Sequence, residues 1–350
     1  MSEPDARRDR DYPGTPDIEV LICTHNRADL LERALASLNR CERPADCRIA
    51  FFVVANACTD GTAAFLQRYV ETRDEPSPED PPARLPLRWI EDPVPGKSHA
   101  LNLALPQSTG VVIAFVDDDH RVDAGYLKAI CEASRAHPDA DFFCGRILPD
   151  WDGSEPAWVH DEGPYRVYPL PVPRFELGTA PAFVEPGTAT PGGGNLAIRR
   201  GLFERIGQFD LELGPHGHDL GGAEDIEWVR RGVAAGERLY YVPEMLQFHY
   251  VDTERLTLGY VMLKAYERSA STSRLSSKLS PHRRVPLYMV RKALTYAVQA
   301  LFSLSQARRR FYLTRLAASL GEIKGFRLQK RARSAASARD ERSESDDRHR

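Results

Sequence analysis

Long apolar runs are scarce in this 350-residue chain. No uncharged run reaches about 18 residues, so no transmembrane helix is expected. The opening stretch, MSEPDARRDRDYPG, lacks the apolar segment of a secretory signal. No CxxC pair occurs among the six cysteines Cys23, Cys41, Cys47, Cys58, Cys131 and Cys144. Cys23 and Cys144 lie inside apolar runs, so the set reads as buried thiols in a reducing compartment, without a disulfide framework. A cytoplasmic location is the expectation. Internal repeats are missing too. Glycine is absent from CTHNRADLL, the turn after the first apolar run. Dehydrogenases and nucleotidyltransferases on similar sheets normally place a Gly-rich phosphate loop there, so its absence counts against both.

What the chain does have is enough apolar material for a full core, at 42% hydrophobic and 28% charged residues. The net charge of −3 hides an asymmetry. Residues 281–350 hold 17 Lys/Arg against 6 Asp/Glu, while the first 280 hold 30 against 44. A basic tail on an acidic body points to contact with something anionic. No nucleic-acid partner is expected.

Residues 1–16 read as a disordered tail. Strand-like and helical segments then alternate. Strands are expected at Ile18–Thr24, Ile49–Val54, Leu87–Ile90, Val111–Val116 and Phe142–Ile147. Helices are expected at Ala28–Leu38, Thr62–Val70, Ser98–Leu105 and Ala124–Ala136, with a Pro-rich acidic loop over 71–86. Continuous apolar strands between helices imply an α/β fold with a mostly parallel sheet covered on both faces. Ligands on such sheets bind at the carboxyl ends of the strands, which singles out Thr24–Arg27, Asn56–Asp60, Glu91–Lys97 and Asp117–Asp119. From 149 to 191 the rhythm breaks into a Pro-rich segment of the kind that forms a lid or binding loop. Order returns at Gly192–Ile198, a helix is expected at Ala223–Ala234 and a strand at Arg238–Val242. A helical region follows to about Arg333, then a low-complexity tail, 334–350.

Asp117, Asp118 and Asp119 close a very apolar strand. Three adjacent carboxylates repel one another, and a bound Mg²⁺ or Mn²⁺ shared with a diphosphate would relieve this; a solvated capping turn is the plainer alternative. Glu224 and Asp225 open a helix, where acids favour the dipole, but either could also accept a proton from a hydroxyl. His249, in FHYV, reads as a packed residue or as a further metal ligand. The Gly192–Gly194 run before Asn195 reads as a turn or as a close approach of ligand to backbone. Lys97 stands where a cation could meet phosphate.

Taken in order, these pieces resemble family 2 glycosyltransferases of the GT-A fold. VLICTHNRADLLERALASL is similar to that family's first strand and helix. VVANACTDGT resembles its second-strand turn, GKSHALNLAL its Lys…Ala-Leu-Asn segment, and FVDDD its DxD motif. GGGNLAIRRGLFERIGQFD, GGAEDIEWVRRGVAAG and FHYVDTERLT resemble its Gly-x-Asn, Glu-Asp and His…Arg elements. The resemblance spans about residues 17–260. It implies a GT-A catalytic domain over 17–252, with 149–191 as an acceptor-side loop and a helical extension over 253–333. It implies Asp225 as catalytic base beside Glu224. Thr24, Asn26, Arg27, Asn56, Asp60, Lys97, Asn102, Asp117, Asp118, Gly194 and Asn195 would form the donor site. Asp119, Asp117 and His249 would hold a divalent cation, Mn²⁺ or Mg²⁺.

The implied reaction transfers a sugar from a UDP-, GDP- or dTDP-linked donor to a carbohydrate, lipid-linked or small-molecule hydroxyl, with inversion. No Gln-x-x-Arg-Trp segment follows Asp225, which points to single transfers rather than processive synthesis. His25, Ala55 and Cys58 depart from the family pattern and bear on nucleotide choice. The competing reading is a non-catalytic nucleotide- or sugar-binding relative, which would be expected to have lost Asp119 or Asp225; both are present.

Beyond the shared region, Leu287, Val290, Leu294, Ala297, Val298 and Leu301 recur at helical spacing, followed by Arg308–Arg310 and Arg315. Two readings of 285–330 stand open. One is a peripheral helix at the inner membrane face, drawn to anionic lipid. The other is a hairpin packed on the catalytic domain or on a second subunit of a homo-oligomer.

Overall fold

The computed structural model describes residues 15–73, 84–211, 224–276 and 285–347. Most of the expected N-terminal tail (1–16) and of the Pro-rich loop (71–86) lies outside these residues. The chain divides into two compact units, Met1–Asp150 with Pro173–Tyr250, and Trp151–Val172 with Val251–Arg350.

The first unit opens with the expected alternation. β1 (Ile18–Thr24), α1 (Ala28–Asn39), β2 (Ile49–Asn56), α2 (Thr62–Glu71), β3 (Leu87–Asp92), α3 (Lys97–Ala104) and β4 (Val112–Phe115) follow in turn. Their strands are parallel neighbours in the order β3-β2-β1-β4. β1, β2 and β4 are almost wholly apolar because both faces of the sheet are covered. Val20 and Ile22 pack with Phe51, Val53 and the α1 residues Leu31 and Leu35 on one face. Leu21 packs with Phe52, Val54, Leu101 and Trp228 on the other.

The unit continues with β5 (His120–Val122), α4 (Tyr126–Ala136), β6 (Phe142–Asp150), β7 (Ala182–Phe183), β8 (Leu196–Arg199), α5 (Arg200–Ile206), α6 (Glu224–Ala234) and β9 (Leu239–Tyr250). Here the sheet is mixed. β8 lies antiparallel between β4 and β6, β9 runs parallel to β6, and β5 and β7 pair antiparallel with β9. The expectation of a mostly parallel sheet therefore holds for the first four strands and the β6–β9 pair, while β5, β7 and β8 run antiparallel to their neighbours. β8 emerges from an irregular segment, not from a crossover helix, and enters the sheet in the opposite direction. β9 also runs on to Tyr250, well beyond the strand end expected at Val242. It passes through Pro243, which cannot donate to a ladder, because the β6–β9 register shifts between Cys144 and Arg146. Arg146 Nε then donates to the Pro243 carbonyl at 2.6 Å.

One buried charge in this unit is structural. Glu19 on β1 is fully buried and accepts from Arg88 at 2.9 and 3.1 Å and from the Thr109 amide at 2.8 Å. Arg88→Met would strand that carboxylate. The expected cost is about 3 kcal/mol, read as a lower urea midpoint, whereas Lys128→Met at the exposed Glu42 pair should change almost nothing.

The second unit contains α7 (Leu258–Ser276), α8 (Leu287–Leu301) and α9 (Gln306–Asp347). α9 continues into the 334–350 segment expected to lack structure; no Gly or Pro interrupts it after Gly325. Residues 151–172 group with these helices: Arg310 pairs with Asp161 at 2.9 Å, and Tyr165 meets Phe311 edge-on. Part of the loop expected over 149–191 thus belongs to the helical unit.

Candidate active site

Parallel strands bring their carboxyl ends to one edge, and the polar residues that follow β1–β4 collect there. They line a cavity of about 340 Å³ formed by Thr24, His25, Arg27, Asn56, Gly96, Lys97, Asp117–Asp119 and His249, among others. Thr24 Oγ1 donates to Asp118 at 2.8 Å. One Arg27 nitrogen lies 3.0 Å from both Asp118 and Asp119. Lys97, the first residue of α3, reaches Asp117 at 2.5 Å. Burial works against the charge on both partners. Lys97 and His120 nevertheless hold Asp117 well below the usual carboxylate range, and Asp117, Asp225 and Glu224 hold Lys97 well above the usual lysine range. Asp118 is pushed up by burial and by Asp119, against Arg27 and Thr24. The Cys23 thiol on the cavity wall is pushed up to about 12 by burial and stays protonated.

The acidic triplet divides its labour. Asp117 is committed to Lys97. Asp119 faces His120 Nε2 at 3.8 Å and His249 Nε2 at 3.7 Å. Ligand atoms of Asp119, His120 and His249 lie within 4.8 Å of one another. His120 does not stand out in the sequence as a ligand. It is brought in by the β5–β9 pairing, which places it directly opposite His249. Adjacency to three aspartates is the one local signal that could have found it. Asp117, by contrast, is not part of this cluster.

Both imidazoles are oriented for ligation. Gln247 gives its amide nitrogen to Tyr126 at 2.8 Å, so its oxygen faces and accepts from His120 Nδ1. His249 Nδ1 donates to the Tyr250 carbonyl. In its neutral form each ring would then carry its lone pair on Nε2, and burial lowers the His120 pKa, favouring that form for His120. One carboxylate and two imidazoles fit a divalent transition ion better than Mg²⁺, which prefers oxygen.

A second hollow adjoins the first through Cys23, Lys97 and Asp117, and is also lined by Gly193, Phe209 and Asp225. Asp225 opens α6 and accepts from the Gly193 amide and from that of its own neighbour Ile226. The glycine run is what lets these carboxylates approach. A Cβ at Gly193 would sit 2.7 Å from Asp225 Cβ, and one at Gly194 would sit 2.5 Å from Asp117 Oδ2. Gly194→Ala should thus displace Asp117 and lower activity at least about tenfold, while Gly192→Ala, with only a 3.4 Å contact, should be mild.

Glu224 is buried, and among the described residues its Oε2 has no hydrogen-bond partner. Burial and Asp225 push its carboxyl up. As pH rises the unfolded chain gives up this proton first, so wild type loses stability upward from the ordinary glutamate range. Glu224→Gln escapes that penalty. Its melting temperature should exceed wild type at pH 8, with the gap closing near pH 4 to 5.

Several residues expected in the donor site make bonds that tie the framework together. Asn26, at φ 53°, accepts from the Thr59 and Asp60 amides and joins the turns after β1 and β2. Burial opposes the charge on Asp60, but its bonds from Thr62 and the Ala28 amide prevail and hold it below the usual range. Asn102 exchanges two bonds with the Phe209 backbone. Asn195 is buried and donates to the Arg146 and Met245 carbonyls, so it closes the sheet and does not face the cavity. Asn56 lines the cavity, but its amide is spent on Asp92, Val94 and Gly96.

The curled mixed sheet with flanking helices is an α/β fold of the GT-A type. The model of the family described as glycosyl transferase family 2 matches residues 19–207, more than half of the sequence, and the chain belongs to that family and is a glycosyltransferase. The succinoglycan biosynthesis protein ExoM of Rhizobium meliloti (strain 1021) is 24% identical over 316 residues, covering 88% of this chain and 92% of that protein. The mannosyltransferase PcManGT from Pyrobaculum calidifontis, solved with GDP-Man and Mn²⁺, shares the fold with a TM-score of 0.51 at 18% identity, over 89% of this chain and 88% of that one. S. aureus TarS 1-349 with UDP-GlcNAc gives 0.52 at 17% identity, over 91% and 92%.

Proposed function

We propose that this glycosyltransferase takes a nucleoside-diphosphate sugar in the cavity at the strand ends and transfers the sugar, with inversion and one residue at a time, to a hydroxyl of a saccharide or lipid-linked saccharide. One observation carries the reading. Asp119 and His249, which cluster with His120, line one hollow and Asp225 lines a separate adjoining one, with Lys97 and Asp117 common to both. A donor diphosphate and an acceptor hydroxyl need that separation.

Asp119, His120 and His249 would hold a divalent cation, Mn²⁺ before Mg²⁺, which when bound supplies Lewis-acid stabilisation of charge on the leaving diphosphate. Lys97 and Arg27 add fixed positive charge at the same edge. Asp225, held by the Gly193 amide, takes the proton of the incoming hydroxyl. One base with direct displacement inverts the anomeric carbon. Thr24, His25 and Asn56 form the wall nearest the β1 and β2 ends, where base and ribose would sit. The donors present in PcManGT and TarS, and the polysaccharide pathway in ExoM's name, support the donor and acceptor classes.

The test is a donor panel of UDP-, GDP- and dTDP-sugars with Mn²⁺, read as released nucleoside diphosphate. Turnover of one donor class, lost on chelation, is the expected result. Binding of a nucleotide without turnover, with any saccharide acceptor supplied, would favour the non-catalytic relative.

A further inference from the structure

α8 turns its small residues inward and its large ones outward. Ala293 and Ala300 are buried, and Lys292 pairs with Glu322 of α9 at 2.8 Å. On the other side Leu287 is 86% exposed, Leu294 62%, Val298 54% and Leu301 78%, and the stripe continues through Phe302 at 76% and Leu304. Monomeric soluble proteins rarely leave such a contiguous apolar stripe uncovered.

The segment that carries it is basic. Residues 281–321 hold eight Lys/Arg and no Asp/Glu. Arg291 lines the same shallow groove as Leu287, Val290, Leu294 and Val298. Arg308 and Arg309 follow Leu304 at the start of α9 and are exposed. No helix among the described residues is long and apolar enough to cross a membrane.

From this we infer that α8 and the start of α9 dock the enzyme on the surface of an anionic phospholipid bilayer, apolar stripe inward and arginines at the headgroups. A second copy fits this face less well. Self-pairing would set Arg291, Arg308 and Arg309 against their own like charges.

The experiment is co-sedimentation of the full chain, without any sugar, with vesicles of phosphatidylcholine alone or mixed with 30% phosphatidylglycerol. Binding to the mixed vesicles, weakened by 0.5 M NaCl, is expected. The triple variant Leu287→Gln, Leu294→Gln, Leu301→Gln should bind at least tenfold more weakly while keeping its melting temperature and donor turnover. Arg291→Gln with Arg308→Gln and Arg309→Gln should lose roughly fivefold per arginine and with it the preference for phosphatidylglycerol. Binding by neither vesicle overturns the inference, as does binding that the triple variant retains. A wild-type dimer that the triple variant makes monomeric, with no vesicle binding, would assign the face to a second copy. Because the readout involves no nucleotide or sugar, failure here leaves the proposed reaction untouched.

Discussion

Asp225→Asn is expected to lower turnover about 1,000-fold, within the range that a positioned general base contributes. The substitution is chosen for what it keeps. The replacement amide would still present an oxygen to the Gly193 N–H and give up only the local bond from the Ile226 N–H, so the glycine run should hold its place. It would also leave the cavity of Thr24, Lys97 and Asp117–Asp119 unaltered. The KM for donor and the stabilisation by nucleotide should therefore match wild type, with the whole loss in kcat. A variant within threefold of wild-type kcat would remove Asp225 from the chemistry and leave Glu224, buried and with Oε2 unbonded among the described residues, as the next acid to test.

The second large effect concerns a residue that sequence reading passes over. His120→Gln should weaken Mn²⁺ binding as much as His249→Gln does. Each loss should be at least about 10–100-fold, the size found even for residues that only orient a ligand. Mn²⁺ titration followed by electron paramagnetic resonance measures this without substrate. Equal losses would confirm that the cross-strand pair works as a unit. A normal titration for His120→Gln would reduce the site to Asp119 and His249 and return Asp117 to consideration.

The contrast between these two residues shows what a sequence discloses. Asp225, Asp119 and Lys97 stand at strand or helix ends inside short local patterns, and local pattern is what a reader of sequence has. The strands expected at Ile18–Thr24 and Ile49–Val54 are legible for the same reason: continuous apolar runs are what a sheet covered on both faces requires. His120 acquires its meaning only from a pairing with a strand far along the chain, where His249 stands opposite it. Asn102 and Asn195 sit within family-like motifs, yet their amides are consumed by backbone groups that only the folded chain brings near. The glycine run was legible as a close approach, but what approaches are the protein's own carboxylates. β9 runs on past Val242, where its local apolar pattern ends, because the register shift that tolerates Pro243 has no local signature.

The central claim is that the carboxyl edge of the sheet binds a nucleoside diphosphate together with a divalent ion. The most direct measurement is thermal unfolding of wild type and Asp119→Ala with UDP, GDP, dTDP and CDP, each with Mn²⁺ and with chelator. A ligand at 100 times its Kd stabilises by about 2.7 kcal/mol, a readily measured rise. One nucleotide should raise the wild-type melting temperature only when Mn²⁺ is present, and Asp119→Ala should show no such rise. No shift with any nucleotide in either condition, or an undiminished shift in Asp119→Ala, would contradict the account.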